Sequence, residues 1–203
     1  MQFFGDDIME RGNTLYRRDL EKNLPVLLAH RSELLNGEPV YFKGVNRGEM
    51  SPETGRHLSR EEMEADIKLL KQYNLNSVRT SHYPPSERFL HFCDRFGIYV
   101  ESETAVCFVD TYRQKNYAPG RTQDSAEFAP RYLSQCREMV KAFRSHPSVL
   151  FWSIGNESVY GKNFQDCWDW VKATDTTRPV IFSYPGSVGE KKPIYDILSM
   201  HYQ

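Results

Sequence analysis

Apolar positions along this chain change period in a regular way. Short, nearly continuous apolar runs of strand length alternate with longer stretches in which apolar residues recur about every three or four positions, the spacing of one helix face. Val40 to Asn46, Leu75 to Thr80, Ile98 to Thr104 and Val149 to Gly155 are runs of the first kind, and Pro179 to Tyr184 and Asp196 to Tyr202 continue the series. Helices are predicted between them. The first opens with the capping box Ser59-Arg-Glu-Glu62 and carries Met63, Ile67 and Leu70 on one face. The second runs from about Ser86 to Phe96 with Phe89, Leu90, Cys93 and Phe96 inward, and Gly97 stands where a left-handed cap belongs. A third presents Tyr132, Leu133, Cys136, Met139, Val140 and Phe143 after a long polar-aromatic loop from Ala105 to Pro130. A fourth, with Asn163 as its expected cap, presents Phe164, Cys167, Trp168 and Val171. Only a short Gly/Pro/Lys loop separates the last two strands, so a helix there is short or absent.

Strict alternation of strands and helices, with strands apolar enough to be covered on both faces, predicts an α/β fold with a parallel sheet. A doubly wound nucleotide fold would place a Gly-rich phosphate turn after the first strand, and Gly44-Val-Asn-Arg-Gly48 lacks that spacing. The expectation is therefore a (β/α)8 TIM-barrel type that is incomplete, with about six of its eight strands. Ahead of it, Asn36-Gly37 between short apolar runs predicts a hairpin. Residues 1–33 read as a lead-in or the remnant of an upstream domain, and 34–203 as the partial barrel.

Composition narrows the functions. A net charge of −1 supplies no basic field for nucleic acid, and no apolar run approaches the roughly 20 residues that span a bilayer. The first residues lack the pattern of a secretory signal, so a cytoplasmic location is expected. The four cysteines have no C-x-x-C pair and no paired His spacing; Cys93, Cys136 and Cys167 fall on apolar helix faces and read as core. Aromatic residues make up 13% of the chain, and polar loops that carry rings suit carbohydrate, whose apolar faces stack on them.

Chemistry concentrates where strands end, the place at which barrels build active sites. In His146-Pro-Ser-Val-Leu-Phe-Trp-Ser-Ile-Gly-Asn-Glu-Ser158 a buried strand runs directly into Asn156 and Glu157. This run, with Gly44-Val-Asn-Arg47, Val78-Arg-Thr-Ser-His-Tyr-Pro84 and Cys93-Asp-Arg-Phe-Gly-Ile-Tyr-Val100, resembles the catalytic barrel of glycoside hydrolase family 2, the β-galactosidase and β-glucuronidase family. The resemblance covers roughly Leu34 to Tyr202. It implies a retaining β-glycosidase domain acting on terminal β-linked sugars, β-galactoside-type in the first instance, with Glu157 as general acid/base. That role demands a carboxyl that protonates the departing oxygen and then, as carboxylate, activates water. It also implies that Asn156 binds the sugar 2-hydroxyl, that Arg79 orients the nucleophile, that His82 contacts sugar hydroxyls, and that Glu103 orients its neighbours. Asn46 and Arg47 match the family's first strand end, and Tyr202 a tyrosine that contacts the nucleophile. The residues by themselves also allow plainer roles: a strand-end turn at Asn156-Glu157, an Arg79–Glu103 pair, and a His82 bonded to backbone.

The pattern departs from the family in places. Gly48 stands where galactosidases often carry a His, and Glu103-Thr-Ala-Val-Cys-Phe-Val109 lacks the Glu-x-His pair that holds magnesium in those enzymes, so no metal and no cofactor is expected. The nucleophile carboxylate, which the family places on strand seven, is expected to be missing from the chain. The alternative is a carbohydrate-binding or partner-completed module from the same barrel, with open sheet edges that a second copy or a complementing chain would cover.

Overall fold

The computed structural model describes residues 34–109, 122–183 and 195–199. The chain divides into two compact units, Met1–Lys43 and Gly44–Gln203. In the first, β1 (Leu34–Leu35) pairs antiparallel with β2 (Glu38–Pro39). Asn36 and Gly37 both take positive φ, 54° and 88°, as the expected two-residue hairpin turn requires.

The second unit alternates as the periodicity predicts: β3 (Gly44–Arg47), α1 (Arg60–Gln72), β4 (Ser77–Thr80), α2 (Glu87–Phe96), β5 (Tyr99–Glu103), α3 (Ala129–Phe143), β6 (Val149–Asn156), α4 (Lys162–Thr174), β7 (Val180–Ser183) and β8 (Ile197–Ser199). The six strands lie in chain order in one sheet, every neighbouring pair parallel. That is the order of a (β/α) barrel with part of its wall. The first strand is shorter than expected. Its partner β4 begins at Ser77, in register with Gly44, so residues 40–43 have no ladder to join. The segments 184–194 and 200–203 and residues 110–121 of the long loop lie outside the described residues, as does Tyr202.

Helix ends follow local chemistry. Ser59 accepts from the Glu62 amide at 3.1 Å while Glu62 accepts from the Ser59 amide at 2.7 Å, the capping box read from sequence. Gly97 closes α2 with φ 67° and ψ 51°, a conformation that favours glycine. The expected cap at Asn163 is corrected: Gly161 is the N-cap of α4. The preceding loop satisfies the orphan amides, since Lys162 N–H donates to Asp124 Oδ1 at 2.7 Å and Asn163 N–H to the Gln123 carbonyl at 2.8 Å. The Asn163 side chain instead donates to the carbonyls of Thr122 and Ser125.

Each strand sends one set of side chains to the helices and the other to the inside. Val78, Val100, Trp152, Ile154, Val180 and Phe182 join the core with Ile67 of α1, Phe89 and Leu90 of α2, Met139 and Val140 of α3, and Phe164 and Val171 of α4. Burying such side chains contributes roughly 1.5–3 kcal/mol each before the entropy cost of ordering them. The three core cysteines are buried and free, as read.

Candidate active site

The side chains that alternate with the core set are polar. Register aligns Asn46 with Arg79 and Arg79 with Glu101, while one step nearer the strand ends Glu103 aligns with Ser153. Because successive side chains on a strand point to opposite faces, these residues share the inner side of the sheet.

Arg79 is the hub, only 5% exposed. Its Nε and Nη2 donate to Glu103 Oε2 at 2.8 and 2.6 Å, Nη2 also donates to Asn156 Oδ1 at 2.6 Å, and Nη1 reaches Asn46 Oδ1 at 3.4 Å. Glu103, 0% exposed, accepts a further bond from Ser153 Oγ on Oε2 at 2.7 Å. Its Oε1 lies 2.7 Å from His82 Nδ1. An ionised carboxylate only accepts, so Nδ1 carries the proton and Nε2 is the atom His82 offers to a ligand. The Ser81–His82 peptide is cis.

Asn156 reaches this cluster through an irregularity. Ser153 and Asn156 both face inward, yet their odd spacing would put them on opposite faces of a regular strand. The register between β6 and β7 shifts there, three steps on β6 against two on β7, and this bulge re-aims Asn156. Gly155 makes the bulge possible, because a Cβ would stand 2.7 Å from the Phe164 ring and 2.9 Å from the Phe182 ring. Since Arg79 is purely a donor, it fixes the amide with Oδ1 toward itself. Asn156 Nδ2 is then a fully buried donor with no acceptor among the described residues.

Glu157 follows at once, buried, with left-handed φ of 42° and its amide donating to the Ser183 carbonyl at 2.8 Å. A non-glycine residue in that region is strained and marks a place where position outweighs local comfort.

Electrostatics bind the cluster together. Burial opposes the charge on Arg79, but Glu103, Glu101 and Glu157 around it hold its pKa above the usual value. Glu101 is pushed up to about 7, chiefly by burial and also by Glu103, with Arg79 pulling the other way. Glu101 Oε1 lies 3.3 Å from Arg79 Nε without hydrogen-bond alignment, because that N–H points at Glu103. After β5 the chain offers Cys107, whose thiol is pushed up by burial and by Glu103 and Glu157.

Of the residues singled out from sequence, Asn46, His82, Arg79, Glu103 and Asn156 meet in one network, and Glu157 adjoins it. The plain Arg79–Glu103 pair is present inside that network rather than instead of it. Arg47 does not join: it stacks on Phe89 at 3.7 Å and pairs with Asp66 and Glu49 toward the helices. Sequence reasoning passed over Ser153 and gave Glu101 no role at the site. Both follow from period-2 alternation with residues already chosen, Glu101 two before Glu103 and Ser153 two after the inward Phe151.

The family model for the TIM-barrel domain of glycosyl hydrolases family 2 matches residues 26–203. A beta-galactosidase of Pectobacterium atrosepticum is 40% identical over 154 residues, 76% of this chain and 14% of that protein. A beta-galactosidase of Lactococcus lactis is 35% identical over 175 residues, 85% of this chain and 17% of that one. Among solved structures, a beta-D-glucuronidase of Dictyoglomus thermophilum matches at 31% identity and TM-score 0.69, covering 75% of this chain and 28% of its own. A β-glucuronidase of Ruminococcus gnavus in complex with uronic isofagomine matches at 26% identity and TM-score 0.76, covering 84% and 31%. The chain thus spans a small part of each relative's length.

Proposed function

The chain belongs to glycosyl hydrolase family 2, and from that premise we propose that its strand ends form the acid/base half of a retaining β-glycosidase site. The observation that carries the reading is Asn156 Nδ2, a buried donor without an acceptor among the described residues, next to the carboxyl of Glu157. A buried donor left unmet costs about 1–3 kcal/mol, and a sugar 2-hydroxyl is an acceptor of the right kind to relieve it.

In this reading Arg79 and Glu103 hold Asn156 rigid, so that its bond to the 2-hydroxyl tightens as charge develops at the anomeric carbon. His82 Nε2 and Asn46 contact other hydroxyls. Glu157 donates its proton to the glycosidic oxygen as the bond breaks, then takes a proton from the water that releases the sugar. Retention needs a second carboxylate about 5–5.5 Å from the first. The family resemblance puts that nucleophile on strand seven of the barrel and gives Tyr202 the part of the tyrosine that contacts it.

A neutral sugar of the galactoside type fits better than a uronic acid. Among the described residues the cation at the site is Arg79, already paired with Glu103, and a substrate carboxylate would need another. A second reading, a carbohydrate-binding or partner-completed module, is favoured by the outer edges of β3 and β8, which pair with no strand among the described residues.

Hydrolysis of p-nitrophenyl β-galactoside and β-glucuronide by the complete barrel, with Glu157→Ala as control, tests these readings. Galactoside turnover lost in the variant supports the enzyme. Binding of galactoside without turnover supports the module, and neither binding nor turnover refutes both.

A further inference from the structure

Phe108 is a large apolar side chain at the catalytic end of the sheet that the fold leaves 40% exposed. Its backbone adopts φ of 58°, a genuine outlier for a bulky residue, and such strain persists only where the surroundings enforce it. The enforcing contacts are explicit. Phe108 N–H donates to the Asn156 carbonyl at 3.0 Å, Asn156 N–H to the Val106 carbonyl at 3.1 Å, Val109 N–H to Ser158 Oγ at 3.0 Å, and Val159 N–H to the Val109 carbonyl at 3.0 Å. These bonds strap the segment after β5 along the end of β6, on both sides of Glu157. The ring itself stands edge-to-face with His82, centroids 5.8 Å apart and planes at 72°, and His82 is tied to Glu103.

We propose that Phe108 forms the aromatic wall of the subsite for the leaving group, selecting aryl over small alkyl aglycones. The inference rests on the glycosidase reading above and deepens it. The sugar to be cleaved lies against Asn156 and His82 on the Arg79–Glu103 layer, so the oxygen that Glu157 protonates faces outward. What leaves must pass at the level of residue 108, beyond the Cys107–Asn156 bridge. An edge-to-face contact with His82 occupies one side of the Phe108 ring, and an aromatic aglycone stacking on the other gains offset or T-shaped contact and loses water from both surfaces.

The test is binding, which needs no nucleophile: affinities of the 203-residue chain for phenyl and methyl β-D-galactopyranoside, by calorimetry, for the wild type, Phe108→Ala, Phe108→Trp and Phe108→Gly. The wild type should prefer the phenyl glycoside by about tenfold. Phe108→Ala should lose about fivefold to tenfold of phenyl affinity and less than twofold of methyl affinity, and Phe108→Trp should restore the preference. Phe108→Gly, which relieves the left-handed strain, should melt no lower than wild type and still lose the preference, an outcome a purely structural role would not give. Equal losses for both glycosides, or none, would overturn the subsite while leaving the glycosidase reading intact. A wild type that binds neither glycoside would overturn that reading and the inference with it.

Discussion

At the N-terminal ends of β5 to β7 every buried charge is answered. Asp94 accepts from Ser148 N–H at 3.0 Å and is bonded to His146 Nδ1 at 2.6 Å. Asp175 gathers Trp152 Nε1, the amide and hydroxyl of Thr177, and Arg178 Nη1, while Arg178 spends its remaining donors on the carbonyls of Val149 and Arg144. At the C-terminal ends of the same strands polar groups are buried too, but Asn156 Nδ2 and Glu101 Oε1 lack hydrogen-bond partners among the described residues, and Glu157 and Phe108 sit in left-handed conformations. The same chemistry therefore serves two ends differently. One cluster pairs its charges within the fold, although Ser148 Oγ stays unpartnered among the described residues; the other leaves an amide and a carboxyl oxygen unpartnered and is strained, the mark of a site that a ligand completes.

The largest effect is expected at Glu157: Glu157→Gln, in the complete barrel, should lower kcat/KM for an alkyl glycoside by about 10³ and for a 2,4-dinitrophenyl glycoside far less, because a good leaving group needs little protonation. Steady-state kinetics on the pair checks this, and equal losses would remove Glu157 from the acid role. Asn156→Ala should cost about 100-fold on a galactoside and almost nothing extra on its 2-deoxy analogue, if the orphaned donor meets the 2-hydroxyl.

The other end should answer in stability alone. Asp175→Ala strands the Trp152 N–H and part of Arg178, and should cost about 2–3 kcal/mol in denaturant melts while leaving binding of the folded fraction unchanged. Burial opposes the Asp175 charge, but bonds from Thr177, Arg178 and Trp152 hold its carboxyl well below the usual range. Its contribution is thus complete above the unfolded value of about 3.9 and is lost as pH falls below it. Glu101 has the opposite sign. Its pKa is raised to about 7, so the folded chain holds the proton more tightly than the unfolded one. Stability from this group is full below about pH 4.3 and falls as pH rises toward 7. Thermal melts across that window should slope less in Glu101→Gln than in the wild type; an unchanged slope would show that Glu101 is not held protonated.

Much of this was legible in the sequence because it is governed by short-range rules. Period, capping box and the αL glycine located α1, α2 and the six strands, strand-end logic pointed to Asn156 and Glu157, and the family resemblance added Arg79 and Glu103. What escaped depends on geometry that no local pattern encodes. The bulge that turns Asn156 inward follows from Phe164 and Phe182 crowding Gly155 across two other elements. The cap of α4 comes from Asp124 and Gln123 about forty positions earlier. Arg47, equally plausible as a site residue, turns away because Asp66 and the Phe89 ring offer a better place for its charge.

The most direct test of the central claim, that Glu157 is the acid/base of a retaining site, is azide rescue of Glu157→Ala in the complete barrel with 2,4-dinitrophenyl β-galactoside. Azide needs no general base, so it should accelerate turnover and yield the β-configured galactosyl azide, formed from a glycosyl-enzyme intermediate. An α-configured azide would make Glu157 the nucleophile, and no response to azide would deny it either role.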